Sequence, residues 1–337
     1  MPNARLSLRG IGALMAVPKI GVNPHLAGSG ARMAYFILRR ALQSVLTVLG
    51  VITVTFFLVR LAGDPATLLL PVEATNEDIA RLRTALGLDQ PLIVQYLKFL
   101  ANAATGDFGV SLRQRTPALD LVLERVPATL ELALTSFVLG LLLAFGIGLL
   151  MRLSTSARLR TAIMWVALAR QAIPVFSFGL ILILIFSVWL RWLPSLGRGT
   201  IQHLILPALT LATYELALYL RLFNASLAVE QRQDYVRTAY SKGQGRTKVI
   251  LAHMLPNALL PLVTIAGINL GLLLGGTVVT ETVFSWPGVG RLIVQSVSQR
   301  DYPVIIAGVF IISLIFVVVN LLVDVLYGFL DPRVRLS

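Results

Sequence analysis

The sequence has 337 residues and no cysteine, only three histidines, and few charged side chains (13%). The absence of cysteine excludes a disulfide framework and thiolate metal sites. His25, His203 and His253 are far apart in the chain and form no HExxH pattern, so we expect no metal site. Soluble domains have about a quarter of their residues charged, so the composition excludes an ordinary soluble domain.

Motifs that bind nucleotides or support hydrolysis are also missing. The sequence contains no GxxxxGK[ST] phosphate loop and no GxSxG nucleophile turn. Gly243-Gln244-Gly245 lacks the third glycine of GxGxxG, and the acidic pair Glu77-Asp78 fits the first turn of a helix better than acid–base catalysis. We therefore predict that this chain is not an enzyme and that it binds no cofactor itself.

Long apolar runs dominate the rest of the chain. Hydrophobic residues make up 56% of the sequence, and the mean hydropathy is +0.81. A helix needs roughly 20 residues to cross a bilayer, and six runs are long enough. We predict an all-α membrane protein with six transmembrane helices, at about 41–61, 130–150, 172–190, 204–222, 258–279 and 303–325.

Positive charge is concentrated in alternate connections. The net charge is +13, yet the long connection 62–125 mixes eight acids with six bases, whereas residues 1–40, 151–160 and 221–248 are mainly basic. Lys and Arg are retained on the cytoplasmic side during insertion. We therefore predict cytoplasmic termini, a cytoplasmic segment 230–257 and external segments 62–125 and 281–302. The same distribution argues against nucleic acid as a partner.

The segments before and after the first span differ from it in composition, and this suggests how the chain is divided. Residues 1–32 are predicted to be a basic, disordered cytoplasmic tail, with Met33 as an alternative start of the protein, and 33–337 to be the transmembrane domain. The external region 62–125 is predicted to hold short helices. In ATNEDIARLRTALGL, Thr75 and Asn76 suit a helix start and Gly87 suits the position after its end.

The most polar stretch between two apolar runs is DYVRTAYSKGQGRTKVILAHMLP, residues 234–256. DYVRTAYSK predicts two helical turns with Asp234 at the N-cap position. Gly243 and Gly245 are predicted to end that helix, and RTKVILAHML to begin another.

Small residues in this stretch suggest a contact surface. Ala239 and Gly243 are four residues apart, so we predict that they share one helix face and let a partner approach closely. Arg237, Lys242 and Arg246 are expected to surround that face. A solvated turn would not need the paired small residues.

The stretch resembles the cytoplasmic "EAA" loop of ABC-importer permeases, whose pattern is roughly E-A-A, three residues, G, nine residues, I-x-L-P. Arg237, Thr238 and Ala239 occupy the E-A-A positions, Gly243 the glycine, and Leu255-Pro256 the L-P. Arg for Glu, Thr for the first Ala, and His253 for Ile depart from the pattern.

Other blocks resemble, in the same order, the B-type permease subunit of dipeptide and oligopeptide importers. The resemblance covers about residues 33–337 and includes GLDQPLIVQYL, GDFGVSL, ERVPATLELAL, TETVFSWPGVGRL, QRDYPV and NLLVDVLYGFLDPRVR. Two further departures are Asn224 in RLFNAS, where a base is common, and GQGR in place of a Leu-containing continuation.

The resemblance implies a type I ABC importer permease (MetI-like) fold in the bacterial inner membrane. It also implies partners: a second similar permease, two cytoplasmic ATPases that bind ATP and Mg, and an external solute-binding protein. The loop would be the ATPase-coupling site, with contacts from Asp234, Tyr235, Arg237, Thr238, Ala239, Lys242, Gly243, Leu255 and Pro256. Short peptides are the implied cargo; nickel, glutathione and oligosaccharides use similar permeases and are alternatives.

Polar residues inside the predicted spans are candidates for lining the pathway, namely Gln171, Pro174, Thr210, Thr213 and Asn269. Hydrogen bonding between helices is the alternative role for each. Arg170 either lines a kink at Pro174 or extends its side chain to the membrane interface. The aromatic residues Tyr35, Trp189, Trp192, Trp286 and Tyr302 are expected to lie in interfacial belts.

A self-powered secondary transporter or channel is the alternative function. Such proteins usually carry ionisable relays in their spans and often contain internal repeats. This sequence places few charges in its spans and shows no evident repeat, so we favour the ATP-driven permease.

Overall fold

The computed structural model describes residues 29–61, 75–85 and 87–330, and all regular secondary structure within these ranges is helical. Most of the predicted N-terminal tail, residues 62–74 and the C-terminal seven residues lie outside the described ranges. The first helix begins at Ser29, so the four residues before Met33 belong to a helix and not to the predicted tail.

We number the helices in chain order. They are α1 (Ser29–Leu61), α2 (Asn76–Ala85), α3 (Leu92–Ala104), α4 (Ala118–Leu123), α5 (Val126–Leu153), α6 (Ala157–Ala172), α7 (Val175–Leu182), α8 (Ile201–Ala212), α9 (Leu216–Glu230), α10 (Asp234–Ser241), α11 (Arg246–Lys248), α12 (Leu255–Val283), α13 (Val289–Gln299) and α14 (Tyr302–Leu330). Two π-helical segments, Ile183–Trp189 and Val249–Met254, continue α7 and join α11 to α12.

Four described stretches of helix are each long and apolar enough to cross a membrane without a break, namely those ending in α1, α5, α12 and α14. Two further apolar stretches are bent pairs, α6 with α7 and α8 with α9. If each pair counts as one span, the described residues contain six, which matches the number that the hydropathy predicts. The predicted span 204–222 is therefore interrupted at residues 213–215, whereas the predicted span 172–190 corresponds to the helical stretch 175–189 that follows the first break.

The first bent pair breaks at Pro174, where the helix axis changes direction by 109°. Ile173 has an extended backbone, as the residue before proline prefers, and Pro174 has no N–H to continue α6. The proline was expected to kink one helix. Instead, it separates two.

The second bent pair breaks without proline, at residues 213–215, with an angle of 59°. The Thr213 hydroxyl donates to the Leu209 carbonyl (2.7 Å) one turn earlier. Such bonds back to the preceding turn compete with the helix ladder and bend helices.

The largest apolar core joins α5, α6, α9, α10 and α12. Its centre holds the fully buried Phe223 of α9, which packs on Gly148 of α5. A Cβ at position 148 would lie 2.4 Å from the Phe223 ring, so only glycine allows this approach. Through Val236 and Ala239, α10 is part of this core.

The helices outside the spans follow local signals. Thr75 and Asp78 form a reciprocal cap at the start of α2, with Asp78 Oδ2 accepting from the Thr75 hydroxyl (2.7 Å), and Gly87 takes a left-handed backbone (φ 66°) after its end. Further along, Ser111 of GDFGVSL donates to the buried Asp301 (2.5 Å) of QRDYPV. This bond ties the segment before α4 to the junction of α13 and α14.

Candidate functional site

The predicted coupling helix is present as α10, and its end is defined by glycine. Gly243 has φ 74°, and the Gly243 N–H donates to the Tyr240 carbonyl (2.9 Å) while the Gln244 N–H donates to the Ala239 carbonyl (3.2 Å). This pair of bonds is a Schellman motif, which requires a left-handed residue at the first position after the cap. Gly243 is therefore needed for its backbone conformation.

The predicted small-residue surface is wrong in its geometry. Ala239 is only 5% exposed and packs inside the chain with Val249, Ile250 and Met254. Gly243 lies beyond the last helical residue and has no heavy atom within 4 Å of the position of a Cβ. The two residues consequently do not form one face toward a partner.

A different face of α10 is open. Asp234, Arg237 and Thr238 are exposed, and their spacing of three and four residues places them on one side of the helix, which the exposed Lys242 continues at the C-cap. The Asp234 carboxylate lies 3.5 Å from the Arg237 guanidinium. We call this the outer face of α10. Asp234 is the first helical residue, and not the predicted N-cap, because Gln233 holds that position with an extended backbone and no side-chain cap.

Two polar contacts anchor α10 to the helices around it. Tyr235 donates to the Glu230 carboxylate at the end of α9 and accepts from the Asn257 amide (3.1 Å) in α12. Partial burial raises the pKa of the Tyr235 phenol, and so does its bond to Glu230, so it stays a donor at neutral pH. The helix is thereby linked to the spans before and after it.

The second contact joins two departures from the family pattern. His253 Nε2 lies 2.8 Å from the side-chain oxygen of Gln244. Each residue was noted separately in the sequence, and the structure shows that they form a hydrogen-bonded pair across the turn. Leu255 begins α12 directly after the π-helical segment Val249–Met254, and the exposed Pro256 follows it.

Arg170 connects the two helix breaks. The side chain is 6% exposed and donates to the Thr213 hydroxyl (2.9 Å), the Thr210 carbonyl (2.7 Å) and the Ile173 carbonyl (3.1 Å). Its guanidinium carbon lies 3.8 Å from the centre of the Phe178 ring. Arg170 is therefore held at the break near Pro174 by contacts within the protein.

The pathway candidates fall into two groups. Arg170 brings Thr213 and the backbone of Thr210 to the break at Pro174, whereas Asn269 of α12 lies near Glu215 in the second break (3.5 Å). The Thr210 hydroxyl is buried and donates to Leu206 of its own helix. Gln171 is partly exposed beside Arg170 and makes no side-chain hydrogen bond to these groups among the described residues.

Comparison with known proteins decides the family. The model of the binding-protein-dependent transport system inner membrane component matches residues 136–336, and the model of the N-terminal part of the membrane component of such systems matches 33–133. The chain belongs to this family of ABC-importer permeases.

Individual relatives agree with that assignment. The permease is 41% identical, over 304 residues, to the glutathione transport system permease protein GsiC of Escherichia coli K12 and of Shigella dysenteriae, covering 90% of this chain and 99% of each relative. A solved structure of the MetNI methionine ABC transporter is 17% identical, with a TM-score of 0.51, over 63% of this chain and 96% of that one. The permease thus has the MetI-like fold that the sequence predicts.

Family membership fixes the coarse role. This chain is a multi-pass inner-membrane permease of an ABC importer, a class that works with a partner permease, ATPases and a binding protein. It is not the secondary transporter or channel of the alternative hypothesis. Among the described residues, no group of three or more His, Cys, Asp or Glu is placed to hold a metal ion.

Sequence reasoning missed one buried site of the permease. Glu281, in the block TETVFSWPGVGRL, is 0% exposed; its carboxylate accepts from the Thr129 hydroxyl (2.7 Å) and from the Arg291 N–H (2.9 Å) in the first turn of α13. The Val289 N–H donates to Thr129 (2.9 Å). A Cβ at Gly288 would lie 2.2 Å from the Glu281 carboxyl group. The acid inside an apolar run, followed by PGVG, was the available signal.

Trp286 belongs to the same site and not to an interfacial belt. Its side chain is buried, and its indole N–H donates to the Ala128 carbonyl (2.8 Å) of α5. Tyr302 is also buried, whereas Trp189 and Trp192 are exposed as expected. The belt prediction is therefore wrong for Trp286 and Tyr302, because their burial depends on contacts far away in sequence.

Proposed function

We propose that this permease forms half of the transport pathway of an importer for glutathione or another short peptide, and that α10 transmits force from an ATPase. The observation that carries the coupling proposal is the division of α10 into two faces. The outer face is polar and exposed, while Val236 and Ala239 on the opposite side are locked into the main core.

This arrangement suits a rigid lever. A partner that pushes on the outer face moves a helix whose inner face packs against Val249, Ile250 and Met254, directly before α12. The hydrogen bonds of Tyr235 to Glu230 and Asn257 add links to both neighbouring spans. Because packed helices transmit displacement as rigid bodies, movement of α10 is passed to the spans.

The proposal also assigns roles to the other subunits of the transporter. ATP and Mg are bound by the two partner ATPases, so this chain is a non-catalytic subunit with no cofactor of its own. A second permease supplies the other half of the pathway, and an external solute-binding protein delivers the cargo. The basic connections favour cytoplasmic termini; a protease-sensitive tag at Ser337 that is cut only after cells are opened supports this orientation, and cleavage on intact cells contradicts it.

Support for the cargo comes from relatives. The similarity to GsiC extends over almost the whole of that permease, and its name states glutathione transport. Pathway residues are proposed at Gln171, Pro174, Thr213 and Asn269, with Thr210 supporting them from inside the helix packing. Uptake assays with the matching binding protein should show transport of glutathione or short peptides. Uptake of only nickel or oligosaccharides contradicts this assignment.

Gly243 offers a sharp test of coupling. We compare Gly243→Glu with Gly243→Asn in the assembled transporter, because asparagine tolerates the left-handed backbone and adds little bulk or charge. In the described part of the chain, no heavy atom lies within 4 Å of a Cβ at position 243. We expect both variants to insert and assemble. We further expect Gly243→Glu to lose at least about ten times more cargo-stimulated ATP hydrolysis than Gly243→Asn, a difference of about 1.4 kcal/mol.

The opposite result is equally informative. Normal stimulated hydrolysis by an assembled Gly243→Glu transporter contradicts the contact at α10. Equal losses in the two variants assign the defect to the backbone of Gly243, and contact with the ATPase is then not the cause.

A further inference from the structure

Three arginines converge where α5, α6 and α11 meet. The Arg246 guanidinium donates to the Arg152 carbonyl (2.9 Å), and the Arg160 guanidinium donates to the Ser154 carbonyl (3.0 Å) in the short link between α5 and α6. These two hydrogen bonds bring the Arg160 and Arg246 side chains to the end of α5, next to Arg152. We call Arg152, Arg160 and Arg246 the arginine cluster.

The arginine cluster lacks a counter-charge in the described part of the chain. None of the ion pairs within 4.0 Å there includes any of the three residues. Arg152 donates through Nη2 to the Gln231 side chain, but its buried Nε has no hydrogen-bond partner. A buried donor without a partner and three like charges in proximity are both unfavourable, and a bound anion removes both costs.

An apolar groove adjoins the cluster and shares one residue with it. The groove has a volume of about 350 Å³ and is lined by Arg160, Thr161, Met164, Trp165 and Leu168 along α6. Trp165 is 68% exposed. Arg160 therefore lies where the arginine cluster meets an open apolar groove on the surface of α6.

We propose that this surface binds an anionic phospholipid, with its phosphate at the arginine cluster and an acyl chain in the groove along α6. Basic pockets beside transmembrane helices recognise lipid headgroups by this chemistry, and the groove explains why a lipid suits the site better than a free anion. The proposal rests on the orientation proposed above, which places the cluster at the cytoplasmic leaflet, where such a lipid is available.

Trp165 provides a direct probe. The assembled transporter is placed in nanodiscs of phosphatidylcholine that contain brominated phosphatidylglycerol or, separately, brominated phosphatidylcholine at the same fraction. The quenching of Trp165 is the difference between the wild-type protein and Trp165→Phe. We expect a preference for the anionic lipid, reduced about fivefold for each arginine removed.

Matched variants separate the cluster from general charge. Arg152→Gln/Arg160→Gln/Arg246→Gln should abolish the preference, whereas Lys98→Gln/Arg221→Gln/Arg232→Gln removes three exposed charges elsewhere and should retain it. The wild-type preference should also fall at high salt, which requires no variant.

Three outcomes would overturn the proposal. These are equal quenching by the two brominated lipids, a preference that survives removal of the arginine cluster, and shielding of Trp165 from both lipids in the assembled transporter, which assigns the groove to a subunit contact. Nanodiscs expose both leaflets to the same lipid, and no cargo is transported. Failure here is therefore distinguishable from failure of the proposed orientation or function.

Discussion

Arg170 and Glu281 are both buried ionisable residues of the permease, and they are stabilised in opposite ways. Arg170 donates to two backbone carbonyls and a hydroxyl at helix breaks. Glu281 accepts from an N–H in the first turn of a helix and from a hydroxyl. In the described ranges, neither residue has an opposite charge within 4.0 Å.

The difference shows how helix ends supply partial charge inside a membrane protein. The carbonyls freed at a helix C-terminus carry partial negative charge, which suits a guanidinium, and the N–H groups at a helix start suit a carboxylate. Broken and newly started helices thus allow two charges to be buried without an ion pair. Arg170 lies among breaks within spans, while Glu281 fixes the start of α13.

The largest effect is expected from replacing Glu281. Glu281→Ala leaves the Thr129 hydroxyl and the Arg291 N–H without an acceptor and opens a cavity, so we expect a loss of about 4 kcal/mol in the free energy of unfolding. Thermal unfolding in detergent measures this. Glu281→Gln, which keeps one acceptor oxygen and the shape, should lose clearly less; an unchanged midpoint in the Ala variant contradicts the role of the carboxylate.

Replacing Arg170 should have a somewhat smaller effect. Arg170→Ala breaks three hydrogen bonds and the contact with Phe178, and we expect a loss of about 3 kcal/mol together with slower transport, because the two breaks are no longer held together. Arg170→Lys keeps the charge but cannot reach all three acceptors, so it should restore part of the stability. Full transport in an assembled Arg170→Ala protein contradicts a role for the link between breaks.

Close packing around the Glu281 site can be tested without changing a charge. In Gly290→Ala the new Cβ would lie 2.7 Å from Cα of Val278, so the backbone must shift, at a cost of about 2 kcal/mol. Gly146→Ala is the matched control in α5, because nothing lies within 4 Å of its Cβ position. Similar unfolding midpoints for the two variants would show that α13 adjusts freely.

The smallest expected effect concerns one acceptor of Arg170. Thr213→Val removes the hydroxyl that accepts from Arg170 Nε, and we expect a loss of about 1 kcal/mol. Thr264→Val removes a hydroxyl that donates only to its own helix, at Leu260, and should be nearly neutral. In the Arg170→Ala background, Thr213→Val should add little, because the interaction is already lost; full additivity contradicts the coupling.

Local features were predictable from the sequence. The helix Asp234–Ser241, its end at Gly243, and the cap at Thr75 depend on residues within one or two turns. The number of spans follows from hydropathy when each bent pair is counted as one. Roles of residues in coupling or in the pathway stay predictions.

Features set by distant contacts could not be predicted. Ala239 is buried because the segment after the next turn folds back over it, and the sequence alone does not state which side of α10 that segment covers. The same holds for Trp286, whose partner Ala128 is 158 residues away. Pro174 correctly indicated an irregularity in the helix, but the bend of 109° depends on how α6 and α7 pack as separate helices.

The contact between Gln244 and His253 has a consequence for exchanging parts between transporters. Gln244 lies in the turn after α10 and His253 in the π-helical segment before α12, and their side chains form a hydrogen bond across the turn. If this permease receives only residues 234–243 from a relative, it keeps both Gln244 and His253. If a relative receives Gln244 without His253, the Gln244 amide lies against the apolar side chain that the family pattern places at position 253. The natural module for grafting is therefore the whole segment 234–254, and its boundaries follow hydrogen bonding more closely than they follow the helix.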